Sequence, residues 1–138
     1  MEKLFIDSNI LIHATNPQSP QHEVARAVFK KYLQSETELF VSSQVLREYA
    51  SVMTGKAALN VADAQKNIEQ FTQGMMLLHD SPESFALWRE FVQRYDVKGR
   101  NIHDCNIAAT MAANGVTSIL THNGRDFTRY SEITVIPL

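Results

Sequence analysis

Cysteine is nearly missing from this sequence. Cys105 is the only one, which excludes an internal disulfide and a cysteine-rich zinc site and fits a reducing cytosol. Long apolar runs are missing too: none approaches the ~20 residues needed to cross a bilayer, so no membrane association is expected. Met1-Glu2-Lys3-Leu4-Phe5-Ile6-Asp7 meets an acid before a signal-peptide core can form, so secretion is not expected. Nor is there an excess of positive charge. Lys and Arg number 13 against 15 Asp and Glu, a net charge of −2, so a nucleic-acid partner would need a local basic patch. There is no repeat, low-complexity tract or long linker. What remains is 138 residues, 44% hydrophobic and 20% charged, the profile of one globular domain spanning residues 1–138 rather than of a disordered chain.

Strand and helix patterns alternate. Lys3-Leu4-Phe5-Ile6 reads as a short buried strand, followed by a helical stretch through Ile10–Ala14 that Asn16-Pro17 and Ser19-Pro20 end. Gln21 to Ser35 is amphipathic, with Val24, Ala27, Val28 and Tyr32 at helical spacing. Glu38–Val41 is a second strand, and Ser42 or Ser43 can cap the helix that runs to Thr54, with Gly55 as its stop. Val61 to Gln73 is helical up to Gly74, and Met75–Leu78 is short enough for a buried strand. Ser81-Pro82-Glu83 starts a helix reaching about Tyr95. After the Lys98-Gly99-Arg100 turn, Ile102 to Ala113 is helical. Thr117–Leu120 and Ile133–Ile136 complete about five strands. Alternation of this kind predicts an α/β fold, an open parallel sheet covered on both faces through right-handed crossovers.

Four acids stand where a solvated surface would not put them. Asp7 directly follows the first strand, at the carboxyl rim where ligands of such sheets gather; it could equally cap the next helix. Glu48 lies at the margin of an apolar stripe formed by Val45, Tyr49 and Val52, or is simply an exposed helix former. Asp104 is in line with Ile107, Ala108 and Met111, an inward direction that is costly for a carboxylate unless paired or metal-bound; its first-turn position also suits an acid facing the helix dipole. Asp126 follows the fourth strand in the turn Thr121-His122-Asn123-Gly124-Arg125-Asp126-Phe127, where an ordinary loop acid would also be at home.

Together they say more than singly. Carboxylates gathered at one rim repel unless a positive group sits between them. Hard oxygen ligands suit Mg²⁺ or Mn²⁺ rather than zinc, and such an ion would supply an activated water and charge stabilisation for phosphodiester hydrolysis.

Ile6-Asp7-Ser8-Asn9 after the first strand resembles the opening motif of PIN-domain ribonucleases. Val45–Tyr49, Ile102–Ala109 and Leu120–Phe127 resemble the other acidic motifs of that family, in order, and the likeness runs to Val135-Ile136-Pro137. In length the chain is similar to the VapC toxins of bacterial toxin–antitoxin pairs. The resemblance implies a three-layer α/β/α fold and a Mg²⁺- or Mn²⁺-dependent endoribonuclease of the cytoplasm. It also implies a homodimer inhibited by a small antitoxin, with a tRNA or rRNA loop as a plausible substrate. Asp7, Glu48, Asp104 and Asp126 would hold the metal and carry catalysis, Ser8 and Asn9 would position water or phosphate, and Thr121 and Asn123 would support the rim. Some relatives have an acid where Asn123 stands, and a neutral amide binds such cations less strongly.

Other features have plainer readings. His13, His22, His79, His103 and His122 show no HExxH-like pairing, and structural or solvent roles suit them, though His103 and His122 flank the site. Cys105 has no ordered base nearby and reads as a packed thiol. Phe85, Trp88 and Phe91 recur at three-residue spacing and read as core or dimer interface. Arg89, Arg94, Lys98 and Arg100 outnumber Glu90 and Asp96; Arg100, nearest the site, is the candidate phosphate contact on RNA. An aspartyl-phosphate phosphatase would need a second acid two residues after Asp7, where Asn9 stands. An inert RNA- or protein-binding module is the rival from another class.

Overall fold

In the computed structural model, which describes residues 2–138, five strands form one parallel sheet in the order β3-β2-β1-β4-β5. The strands are β1 (Lys3–Ile6), β2 (Glu38–Ser42), β3 (Met76–Leu78), β4 (Ser118–Thr121) and β5 (Thr134–Pro137). Six helices connect them: α1 (Ser8–Thr15), α2 (His22–Leu33), α3 (Ser43–Thr54), α4 (Val61–Gly74), α5 (Pro82–Arg94) and α6 (Asn101–Ala113). The helices α1 to α4 pack among themselves and α5 packs on α6. Right-handed crossovers put the first group on one face, while β1 to β3 are laid down, and the second on the other face as the chain returns past β1. The expected α/β/α layering is what the chain adopts.

Local chemistry explains the element ends. Ser42 accepts the Val45 N–H at 3.2 Å and starts α3; Asn60 does the same for α4 from Asp63. Ser81 and Ser84 exchange hydrogen bonds at the start of α5, with Pro82 in the first turn where its missing N–H costs nothing. Gly115, at φ +68°, takes the left-handed turn that ends α6.

Two packing expectations are corrected. In α2 the face turned inward is Ala25, Val28, Phe29 and Tyr32, whereas Val24 is 52% exposed. The larger ring decides: Phe29 stacks edge-on against Phe71 of α4, with centroids 6.4 Å apart, and the small Ala25 faces inward beside it. In β3 the chain runs along the sheet edge, so Met76 and Leu77 are exposed and only the preceding Met75 is buried. An edge strand lacks the second neighbour that would cover it.

The strand order places the site. From β1 the chain adds β2 and then β3 on one side, and later β4 on the other, so strand order reverses at β1. The crevice outside the carboxyl ends of β1 and β4 is therefore the switch point. Phe5 and Ile6 register with Ile119 and Leu120, and the Asp7 N–H continues the ladder to the Leu120 carbonyl at 3.1 Å.

Candidate active site

Asp7 leaves β1 in extended conformation and caps α1: its Oδ1 accepts the Ser8 N–H at 2.7 Å. The capping reading is thus correct, and it does not exhaust the residue. Oδ2 points across the switch point, accepting the Thr121 hydroxyl at 2.8 Å and the Asn9 amide at 3.3 Å. Thr121 Oγ1 in turn accepts from Asn9 Nδ2 at 3.2 Å and from the Asn123 N–H at 3.0 Å. Its donor and both lone pairs are therefore used. Asn9 also accepts the His122 N–H at 3.0 Å. These bonds join β1 to β4 across more than a hundred residues of sequence and fix the Asp7 carboxylate from two sides.

Ser8 donates its hydroxyl to Glu48 Oε2 at 3.0 Å, which draws the α3 carboxylate to the same rim. Val45, Leu46, Tyr49 and Met53 form the buried stripe of α3, and Val52 is partly exposed, so Glu48 stays at the margin as its spacing predicts. Asp104 is half-buried in the first turn of α6, above the fully buried Ile107, Ala108 and Met111. Asp126 closes a 3-10 turn, Gly124–Asp126, just past β4.

Asp7 and Asp104 both have acidic neighbours. Asp7 is only 6% exposed, and its pKa is pushed up from 3.8 to about 6. Burial is the largest cause; the Thr121 and Ser8 hydrogen bonds oppose it, and the charges of Glu48 and Asp126 add to it. The pKa of Asp104 is also pushed up to about 6, by burial first and then by Asp126, Asp7 and Glu48, with His103 pulling the other way. Among the described residues no three His, Cys, Asp or Glu side chains are drawn together as a ready coordination shell. The donor set, all oxygen and carboxylate-rich, suits a hard divalent cation.

Comparison with known proteins fits this geometry. Residues 4–133 match the PIN domain family. The chain belongs to the PIN-domain family. It is 25% identical over 135 residues to Ribonuclease VapC48 of Mycobacterium tuberculosis (strain CDC 1551 / Oshkosh), covering 94% of this chain and 92% of that one. Its fold is similar to that of VapBC2 from Rickettsia felis bound to a DNA fragment from its promoter. That match has a TM-score of 0.74 and 16% identity, over 99% and 98% of the two chains. A toxin–antitoxin complex from Klebsiella pneumoniae matches with a TM-score of 0.63 and 17% identity, over 95% of each chain.

The remaining candidates of this PIN domain divide. Ser8 and Asn9 make hydrogen bonds to protein, Ser8 to Glu48 and Asn9 to Asp7, Thr121 and the His122 N–H. Asn123 contributes its backbone N–H to the rim, and its side chain is exposed. Arg100 occupies the position before α6, exposed, four residues from Asp104. The basic segment is weaker than its count suggests: Arg94 pairs with Glu90 and Glu132, and Lys98 with Asp96. His122 packs edge-on against His13, centroids 5.3 Å apart, and Cys105 is a buried free thiol as expected. Phe91 is core, whereas Phe85 is exposed, because it lies outside the face of α5 that carries the buried Ser84 and Phe91. Residues that the motif reading passed over also border the site. Gln44, Arg47 and Asp80 line a cleft beside Glu48. Tyr130 packs near Cys105, a weak partner that leaves its buried hydroxyl without a hydrogen bond among the described residues. Arg47 sits one position from Glu48, the one signal that could have flagged it.

Proposed function

We propose that this PIN domain, taken as one unit over residues 1–138, is an endoribonuclease that hydrolyses RNA phosphodiester bonds. In this reading Asp7, Glu48, Asp104 and Asp126 hold Mg²⁺ or Mn²⁺. The single observation that carries it is the buried Asp7 carboxylate at the switch point, fixed by Thr121 and linked through Ser8 to Glu48, with its pKa pushed up to about 6 by burial first and then by its acidic neighbours. Structure alone would tolerate such a carboxylate poorly. A bound divalent ion would supply charge neutralisation, a polarised phosphate oxygen and an activated water.

The chain's own groups then have defined tasks. Thr121 and the Ser8 N–H keep Asp7 oriented, Ser8 Oγ turns Glu48 inward, and Asp104 presents its carboxylate from the first turn of α6. Water would add to phosphorus as the bridging P–O bond breaks, losing its proton to a carboxylate while the leaving oxygen takes one up from solvent; the acids would hold the cation that offsets the charge developing on the phosphate. Arg100 is assigned a phosphate contact on the RNA strand.

The likeness to a ribonuclease and to a protein from a toxin–antitoxin complex supports a toxin role. The expected partners are an RNA loop, a small antitoxin and a second copy of the chain, in the cytoplasm. No helix among the described residues is long and apolar enough to cross a membrane.

The test is cleavage of structured RNA by the purified, antitoxin-free chain with Mn²⁺, with EDTA as control. Asp7→Asn and Asp104→Asn should each abolish cleavage while leaving the circular dichroism spectrum unchanged. Wild-type protein that cuts no RNA under any divalent ion would make this an inert binding module.

A further inference from the structure

Beside the acid cluster lies a cleft of about 600 Å³, lined by α3, the loop before α5, α5 itself and α6. One wall is aromatic. Phe85 is 58% exposed and stacks on Trp88 at 28° between planes, centroids 5.8 Å apart. Trp88 is held in place by its indole N–H, which donates to the Ile102 carbonyl at 3.1 Å. Phe85 is thus oriented by Trp88 while remaining exposed. It offers a flat apolar surface of the size of a base.

The polar part of the lining is tied down. Gln44 Nε2 donates to the His103 carbonyl at 2.8 Å, and Asn106 Nδ2 donates to Gln44 Oε1 at 2.7 Å and Asp80 Oδ1 at 3.0 Å. The network uses both donors of Asn106 and one of the two on Gln44, and leaves acceptors over. Among the described residues no hydrogen bond engages Asp80 Oδ2 or Asn106 Oδ1. Arg47, also at the cleft, forms no ion pair among the described residues, so a cation stands free for a phosphate. Glu48 belongs both to this cleft and to the acid cluster through Ser8, so the two are continuous.

The geometry points to this cleft as a subsite for an unstacked guanine of the RNA, flanking the bond to be cut. Guanine is the base that presents two adjacent donors, N1–H and N2–H₂, on its Watson–Crick edge. Those donors match the spare oxygens of Asp80 and Asn106, while the ring stacks on Phe85 and Arg47 takes the adjoining phosphate. Adenine would set its N1 acceptor against a carboxylate. The subsite rests on the RNA-cleaving reading above and sets its sequence preference.

Trp88 is the only tryptophan, so its fluorescence reports occupancy without any cleavage. The full chain, in EDTA, is titrated with GMP, AMP, CMP, UMP and IMP. GMP should quench Trp88 at a concentration about tenfold lower than AMP does, with IMP, which lacks N2, in between. Phe85→Ala, an exposed change, should weaken GMP binding about tenfold, as expected for one lost stacking partner. Asp80→Asn keeps the oxygen that Asn106 uses and should erase most of the guanine preference. Equal quenching by all nucleotides, or none, overturns the subsite. So does sedimentation showing that Phe85→Ala converts a dimer to a monomer, since a second copy then occupies the cleft. RNA cleavage is scored separately. Metal-dependent cutting with no guanine preference removes the subsite and keeps the nuclease. A guanine preference with no cutting removes the nuclease and overturns the role assigned to the subsite.

Discussion

Replacing Asp7 by Asn should make the metal-free protein respond to pH in the opposite sense from a simple loss of contacts. With its folded pKa raised from 3.8 to about 6, Asp7 stabilises the fold most below pH 3.8. That contribution is lost as pH rises through about 6, and above it the fold carries a constant penalty. At ~1.4 kcal/mol per pKa unit the penalty is about 3 kcal/mol at pH 8. The Asp7→Asn variant would escape it and would keep the acceptor for the Ser8 N–H. It would also set an NH₂ group where Oδ2 now accepts from Thr121 and Asn9. Thr121 Oγ1 has no lone pair to spare, so an orphaned donor costs about 1–3 kcal/mol at every pH. Asp7→Asn should therefore be destabilising near pH 4, and neutral or stabilising near pH 8. The swing between the two should be on the order of 2–3 kcal/mol. Urea unfolding in EDTA at a series of pH values, followed by circular dichroism, measures it. A difference from wild type that stays flat across that range would refute the buried-charge argument.

Three further outcomes follow from the same structure. Mn²⁺ should raise the melting temperature at pH 8 and much less at pH 5, where protons hold Asp7 and Asp104; Asp104→Asn should shrink the pH 8 shift, and an unchanged shift would place the ion elsewhere. Thr121→Val should cost about 1–3 kcal/mol and raise the Asp7 pKa further, because the Thr121 hydrogen bond lowers it; a carboxyl NMR titration of Asp7 with an unmoved midpoint would contradict this. Phe91→Ala should cost about 3–5 kcal/mol, since Phe91 is buried against Tyr95 and Tyr130. Phe85→Ala, six residues earlier on the same helix, should stay within about 0.5 kcal/mol in chemical denaturation, and equal losses would mean that Phe85 is covered in solution.

Much of the candidate site was legible because acids at element ends are a local signal. Asp7 after an apolar strand and Asp104 above Ile107, Ala108 and Met111 can be placed by counting along a strand or a helix. Counting failed where two faces were close in character. In α2 the choice between Val24 and Phe29 turned on Phe71, a residue more than forty positions away. It also overstated the basic patch, because Glu132 reaches Arg94 only after folding. The cleft beside Glu48 was not legible as a unit: Gln44, Asp80 and Asn106 come from α3, the loop before α5 and α6.

From the sequence alone came the kinds and order of the elements, their caps, and the four acids as a set, since backbone periodicity and capping act over a few residues. What Asp7 meets was decided by the tertiary structure. Placing β1 between β2 and β4 brings Thr121 to Asp7 and makes the crevice between their ends. Strand pairing is a long-range choice, set by the burial of whole faces, and no local pattern specifies it.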